Sequence, residues 1–346
     1  MLKVGITGMG FMGWIHWLAY QKVEGVEVAA ICTTEPERLQ GDWTGIKGNF
    51  GPPGEQVYLS GIATTADFDE MLAMPELDYV DICLPPALHA PFIEKAAAAG
   101  KHVFSEKPLA LSVDDCDRAV NACREHDRLL MVGQVLPFFP EYAFARSVID
   151  SGEYGKAIGG TFKRVISDPE WLPDFYDPKK IGGPMLDLHV HDAHFIRLLF
   201  GQPATVTSGG RMRGEVVEYC NSIFRFDDPQ IVVSSVAGVI NQQGRPFTHG
   251  FELHLERCTM QFEFAGLADG AQAMPLKLLH PDGSVELPET GSGDPVDAFV
   301  AEIETVVESM KAGQESGVLS GGLARDAIEI CQAQSRSVVE GRTIEL

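Results

Sequence analysis

Gly8-Met9-Gly10-Phe11-Met12-Gly13 stands between a compact apolar run, residues 3–7, and a segment of helical character, residues 11–21. This is G-x-G-x-x-G with a strand before it and a helix after it, the setting the motif requires. Each glycine has its own task. Gly8 permits the tight turn, Gly10 lets backbone approach a pyrophosphate, and Gly13 allows helix and strand to pack closely. The helix start at Phe11 and Met12 offers unpaired N–H groups and positive partial charge to an anion. The loop therefore predicts a nicotinamide dinucleotide site. The ribose partner is expected about 20 residues on, at the tip of the second strand. There the chain reads Cys32-Thr33-Thr34-Glu35-Pro36, with no acid at the tip itself and Glu35 slightly past it. Thr33 and Thr34 are taken as cofactor contacts. Arg38 suits a 2′-phosphate and equally a solvated helix, so the cofactor stays NAD or NADP.

Working outward, short β-type runs alternate with helical patterns: strands at 26–32, 79–84, 102–105 and 129–135, helices at 92–99 and 113–126. Strands separated by helices predict βαβ units and a parallel, doubly wound sheet. The Gly/Pro-rich stretch 41–61 reads as an ordered insertion. After about residue 136 the texture changes. A helix at 142–151, a strand at 158–166 and a helix at 185–200 are followed by strands at 204–211, 219–226, 231–240, 251–256, 260–264 and 276–280, then helices at 296–312 and 324–340. Successive strands without helices predict a mostly antiparallel sheet. The expected fold is an α/β domain over 1–135 and an α+β domain over 136–346.

The 346 residues fit two domains. Hydrophobic residues at 45% and charged residues at 22% exclude disorder, collagen and coiled coil. The charge is 27 basic minus 49 acidic, or −22, which argues against nucleic acid or an anionic membrane as partner. No signal peptide pattern and no membrane-spanning apolar run is legible. Seven scattered cysteines without a C-x-x-C suggest reduced thiols and a cytoplasmic protein.

Two further motifs join the glycine loop. One is Ser105-Glu106-Lys107-Pro108 after a short strand. The other is Gly182-Gly183-Pro184-Met185-Leu186-Asp187-Leu188-His189-Val190-His191-Asp192. With Leu84-Pro85-Pro86 and His89, they resemble the glucose-fructose oxidoreductase / inositol dehydrogenase family (Gfo/Idh/MocA) over essentially the whole chain. The resemblance implies a Rossmann domain and a C-terminal domain with a large open sheet that forms the contact of a homo-oligomer, dimer or tetramer. It implies hydride transfer between NAD(P) and a sugar, inositol or related polyol. It places Lys107, Asp187 and His191 as catalytic residues, and Pro85, His89, Glu106 and Lys107 beside the cofactor.

The residue chemistry agrees. Oxidising a secondary alcohol requires a base for its proton, and a histidine suits that task near neutral pH. Asp187 and His191 are four apart, so both can face one side of a helix. Aspartate beside imidazole stabilises and orients it. Lys107 can polarise the substrate oxygen. Two departures from the family pattern are visible: His194 stands where an Asp is common, and Pro137-Phe138-Phe139-Pro140 replaces a segment that often carries a basic residue. His194, Trp171, Asp174, Tyr176 and Lys163 are candidates for substrate contact. Three rivals remain: an NAD-dependent glycosidase on the same fold, a metal-dependent hydrolase using His189, His191 and His194, and a non-catalytic dinucleotide sensor. No metal is expected on the leading reading.

Overall fold

Strand β1 (Leu2–Thr7) is buried along Val4, Gly5, Ile6 and Thr7 and delivers the chain to the glycine turn in a computed structural model that describes residues 1–291 and 293–346. Helix α1 (Phe11–Tyr20) follows, then β2 (Val26–Cys32), β3 (Ala63–Thr65), α2 (Phe68–Leu72), β4 (Tyr79–Ile82), α3 (His89–Ala98), β5 (His102–Glu106), α4 (Val113–Glu125) and β6 (Leu130–Gly133). All pairings among these strands are parallel, in the order β3-β2-β1-β4-β5-β6. The order reverses between β1 and β4, so ligands belong at the carboxyl ends of those strands. The sequence reading did not name β3 or α2. At three and five residues they are shorter than the windows in which periodicity is read.

Helix α1 is apolar on nearly every side, and residues 41–61 explain why. Trp43 is fully buried, its ring edge-on to Trp14 and Trp17 at 5.9 and 5.0 Å. The Trp14 indole donates to the Pro52 carbonyl, and Phe11 packs on Phe50 at 4.9 Å. The stretch is thus an ordered cover over α1.

The chain continues with α5 (Pro140–Ser151), β7 (Ala157–Ser167), a π-helical turn Met185–His189 and α6 (Val190–Phe200). Then come β8 (Thr205–Arg213), β9 (Val216–Arg225), β10 (Val232–Ile240), β11 (Phe247–Leu255), β12 (Cys258–Leu267), β13 (Gly270–Leu279) and β14 (Val285–Glu286). It closes with α7 (Pro295–Ala312), α8 (Gly321–Glu340) and β15 (Ile344–Glu345). Strands β7 to β15 make one nine-stranded sheet, β14-β13-β12-β11-β7-β10-β9-β8-β15, in which only β7 and β10 pair in parallel. Phe162 and Arg164 of β7 face α6, Phe251 and Phe262 face Tyr142 of α5, and Ser222 of β9 meets Gln334 of α8. One face of the sheet therefore carries the helices. The register puts Thr161, Lys163, Ile223, Val232 and Ser234 on the other.

A single boundary at 135 does not describe the chain. It forms two units, 1–138 with 293–325 and 139–291 with 326–346. The return is made by α7, which packs on α1: Phe299 lies 6.0 Å from His16 and 5.6 Å, nearly parallel, from Phe50. An amphipathic pattern shows that a helix has a buried face but not which surface buries it. All seven cysteines are buried free thiols.

Glu302 of α7 has no exposed surface, and neither carboxyl oxygen has a hydrogen-bond partner among the described residues. Burial, reinforced by the charge of Glu106, pushes it well above the usual carboxylate range. An unsatisfied buried polar group costs about 1–3 kcal/mol. Glu302→Met, of similar length and apolar, is expected to raise stability by about 1 kcal/mol or more, read as a higher denaturation midpoint at pH 7. A lower midpoint contradicts this account.

Candidate active site

The glycine loop has the shape its sequence requires. A Cβ on Gly8 would meet the Cys83 carbonyl oxygen at 2.4 Å, and one on Gly13 would meet the Gly8 carbonyl oxygen at 2.2 Å. Gly10 differs: its Cβ would meet nothing within 4 Å, and it precedes α1 with no side-chain cap. An open approach to an uncapped helix start is the cradle a pyrophosphate needs, so these residues fit a dinucleotide. Because Gly10 has an ordinary extended backbone (φ −85°, ψ −156°), valine is sterically tolerated in the free protein. Gly10→Val is expected to weaken NADH binding at least about tenfold with thermal unfolding unchanged, measured by fluorescence titration. Unaltered affinity would remove the loop from the binding site.

At the tip of β2, the buried Thr33 hydroxyl donates to Glu35 at 2.5 Å, and Thr34 is exposed. The bond from Thr33, helped by Arg38, holds the Glu35 carboxyl below its usual range. Arg38 donates to the Met9 carbonyl at 2.8 Å and lies 3.4 Å from Glu35, so it is anchored to the glycine loop and is not a freely solvated residue. Pro85 is exposed after β4. His89 corrects its expected role. It has no exposed surface, and its nitrogens lie 2.6 Å from the Pro108 carbonyl and 2.7 Å from that of Leu84. Its ring is not available to a dinucleotide. Glu106 is likewise buried at the end of β5, while Lys107 beside it retains exposed surface.

In the second unit the D-x-x-x-H segment straddles the junction of the π-helical turn and α6. Asp187 and His191 keep partial exposure, whereas His189, Asp192 and His194 are buried. Arg164 explains the inward set. Its Nε and Nη2 donate to the two Asp192 carboxyl oxygens at 2.7 and 3.2 Å, both residues being buried, and His189 Nδ1 lies 3.7 Å from the same carboxylate. Burial would raise Asp192; the Arg164 guanidinium outweighs it and holds the carboxyl well below its usual range. A hydrolytic metal centre needs its histidines on one face, and the helix separates outward His191 from inward His189 and His194. The burial of His194 also corrects its expected role as a substrate contact.

Of the remaining candidates, Asp174 pairs with Lys180 at 2.8 Å, and the Tyr176 hydroxyl donates to Asp168 at 2.9 Å beneath the Arg213 guanidinium. Phe175 is buried against Ile166 and Val239 and pins this loop. Trp171 is 67% exposed. Lys163 is a correction too: it lies on the face of the sheet opposite α6 and donates to Glu263 at 2.9 Å. The sequence reading missed His16, Asp81 and Arg164. His16 and Asp81 had a signal, an ionisable residue inside an otherwise apolar helix or strand, where burial demands a partner; Arg164, beside Lys163, had none.

A parallel sheet in this order, with this glycine loop, defines a dinucleotide-dependent enzyme fold. The chain belongs to the Gfo/Idh/MocA oxidoreductases: residues 2–134 match the family's NAD-binding Rossmann fold and residues 142–261 its C-terminal domain. It is thus an NAD-binding oxidoreductase of the dehydrogenase and reductase class. Inositol 2-dehydrogenase of Rhizobium meliloti (strain 1021) is 25% identical over 350 residues, 100% of this chain and 99% of that one. A dTDP-3,4-didehydro-2,6-dideoxy-alpha-D-glucose 3-reductase of Streptomyces violaceoruber is 29% identical over 275 residues, covering 76% and 77% of the two. Levoglucosan dehydrogenase, solved with NADH and levoglucosan, shares the fold with a TM-score of 0.80 at 22% identity, covering 99% of each chain. Among the described residues, no helix is long and apolar enough to cross a membrane.

Proposed function

We propose that this protein oxidises a secondary alcohol, or reduces the matching ketone, of a sugar, inositol or related polyol. The observation that carries the reading is the division of residues 187–194: Asp187 and His191 keep partial exposure while His189, Asp192 and His194 are buried, Asp192 in its ion pair with Arg164. Bound at the glycine loop, nicotinamide dinucleotide supplies the two-electron acceptor or donor. His191 takes the hydroxyl proton as the carbon is oxidised and returns it in reduction. Asp187 orients the imidazole and stabilises its charged form. Lys107 polarises the substrate oxygen as charge develops there. Trp171 offers an aromatic face to sugar C–H groups. The Glu35 carboxylate beside Arg38 favours NAD, because a 2′-phosphate would meet a fixed negative charge.

The named relatives, an inositol dehydrogenase and a deoxysugar reductase, support this substrate class. The test is a panel of inositols, sugars and keto-sugars with both NAD and NADP, followed at the nicotinamide absorbance. Turnover of a polyol with net cofactor reduction is expected. Sugar release without net absorbance change would identify a glycosidase instead, and no turnover across the panel would overturn the substrate class.

The helix-free face of the nine-stranded sheet is the proposed contact of a homo-oligomer in the cytoplasm. Ile223 and Val232 are about half exposed there beside Thr161 and Ser234. Ile223→Lys is expected to sediment as a smaller species than the parent protein; identical sedimentation would move the contact elsewhere.

A further inference from the structure

Beneath Lys107 lies a buried polar chain that the proposed chemistry does not use. Glu106 Oε2 accepts the backbone N–H of Lys107 at 2.9 Å, and its Oε1 lies 3.0 Å from Nε2 of His16. Nδ1 of His16 lies 2.8 Å from Asp81 Oδ2, which also accepts the Tyr20 hydroxyl at 3.0 Å. The Tyr79 hydroxyl donates to that of Tyr20 at 3.2 Å. A neutral imidazole has one N–H, so two flanking carboxylates are both satisfied only by the doubly protonated ring. Burial opposes that charge, but Asp81 and its neighbours prevail and hold His16 well above its usual range. Burial opposes the Glu106 charge as well; the bond from His16 outweighs it and keeps the carboxyl ionised.

The Cys83 thiol joins the group, 3.4 Å from His16 and from Asp81, and burial pushes it up so that it remains a thiol. His16, Asp81 and Cys83 are close enough to suggest a metal site. Their nitrogen–oxygen separation of 2.8 Å, with donors and acceptors matched throughout, is that of hydrogen bonds.

On the other side of Lys107, the Pro108 carbonyl lies 2.6 Å from Nδ1 of His89, whose Nε2 reaches the Leu84 carbonyl at 2.7 Å. The Lys107 N–H is thus held by the Glu106 carboxylate that His16 bonds, and the Pro108 carbonyl lies against His89, both histidines having no exposed surface. We propose that His16 and His89 are positioning residues for the Lys107 amine, His16 acting through the Glu106 carboxylate and His89 through the Pro108 carbonyl. The inference rests on Lys107 polarising the substrate oxygen. A reacting group displaced by about 1 Å loses about 100-fold in rate.

The test is a double-mutant cycle of His16→Gln and His89→Gln, each alone and with Lys107→Met. Each histidine variant is expected to lower kcat about 10- to 100-fold when Lys107 is present and to have little further effect when combined with Lys107→Met. NADH affinity, by fluorescence titration, stays within about threefold. In the cofactor-free protein, the ¹³C-methyl resonance of reductively dimethylated Lys107, assigned by its loss in Lys107→Met, is expected to shift in both histidine variants. Penalties that multiply with Lys107→Met, or an unmoved resonance, overturn the inference. If Lys107→Met alone leaves kcat unchanged, it is the reading of Lys107 that fails. Loss of the folded state in one variant assigns that histidine a structural role and overturns its half, leaving the other to decide its own.

Discussion

Asp192→Ala is expected to destabilise the second unit by about 3–5 kcal/mol, because it leaves the Arg164 guanidinium buried without its carboxylate. The pair joins the middle of the nine-stranded sheet to α6 through two bonds of 2.7 and 3.2 Å. Two further neighbours of the guanidinium are uncharged: Phe247 lies under it at 5.6 Å, and the Tyr142 hydroxyl is engaged with His249 at 2.9 Å. Asp192→Asn keeps an acceptor but not the charge and is expected to fall between alanine and wild type. Replacing both partners, Arg164→Met with Asp192→Leu, should be milder than Asp192→Ala alone, since no charge is stranded. Chemical denaturation of the four proteins at pH 7 decides the matter. Equal stability of Asp192→Ala and wild type would remove the pair from the fold's support.

The same pair has a pH signature. The folded carboxyl is held well below the ordinary aspartate value. The stabilisation is therefore fully present above the unfolded pKa of about 4 and is lost as pH falls toward the folded value. Wild type should lose stability below about pH 4 more steeply than the double variant in which both members of the pair are apolar. Parallel curves would show that other groups govern the acid limb.

His191→Asn and Lys107→Met carry the largest expected effect on activity. Removing a positioned acid–base group lowers rate by about 10²–10⁴-fold, and removing an electrostatic donor to a developing oxyanion lowers it by about 10²–10³-fold. His191 begins the α6 turn but keeps exposed surface, so asparagine should leave the helix intact. NADH affinity and the thermal midpoint are expected to stay near wild type in both proteins. Near-normal kcat on the substrate found by the panel would move the acid–base role to another residue. A parallel fall in kcat and cofactor affinity would make Lys107 a binding group.

The legible and illegible parts of the chain divide on physical grounds. The glycine loop was readable because three steric demands fall at fixed spacing, and Gly8, Gly10 and Gly13 meet them as two close approaches and one opening. The motif 182–192 was readable as a unit, but not its sorting into outward and inward residues. That sorting depends on winding: residues 185–189 form a π-helical turn where a continuous α-helix was expected. Likewise the role of His89 depends on where the Pro108 carbonyl falls, a contact 19 residues away in sequence. Lys163 alternates with Phe162 and Arg164, and the sheet's period of two put it on the helix-free face once α6 was known to cover its neighbours.

The return of residues 293–325 to the first unit bears on how the protein is made. Translation normally lets an N-terminal domain finish folding while the rest is still being synthesised. Here α1 obtains its covering helix only when α7 has left the ribosome, after the whole of 139–291. The nascent glycine-loop unit therefore waits, with the apolar surface around Phe50 uncovered, until strands β7 to β14 have been synthesised. Its exposure to aggregation lasts at least while residues 139–291 are synthesised.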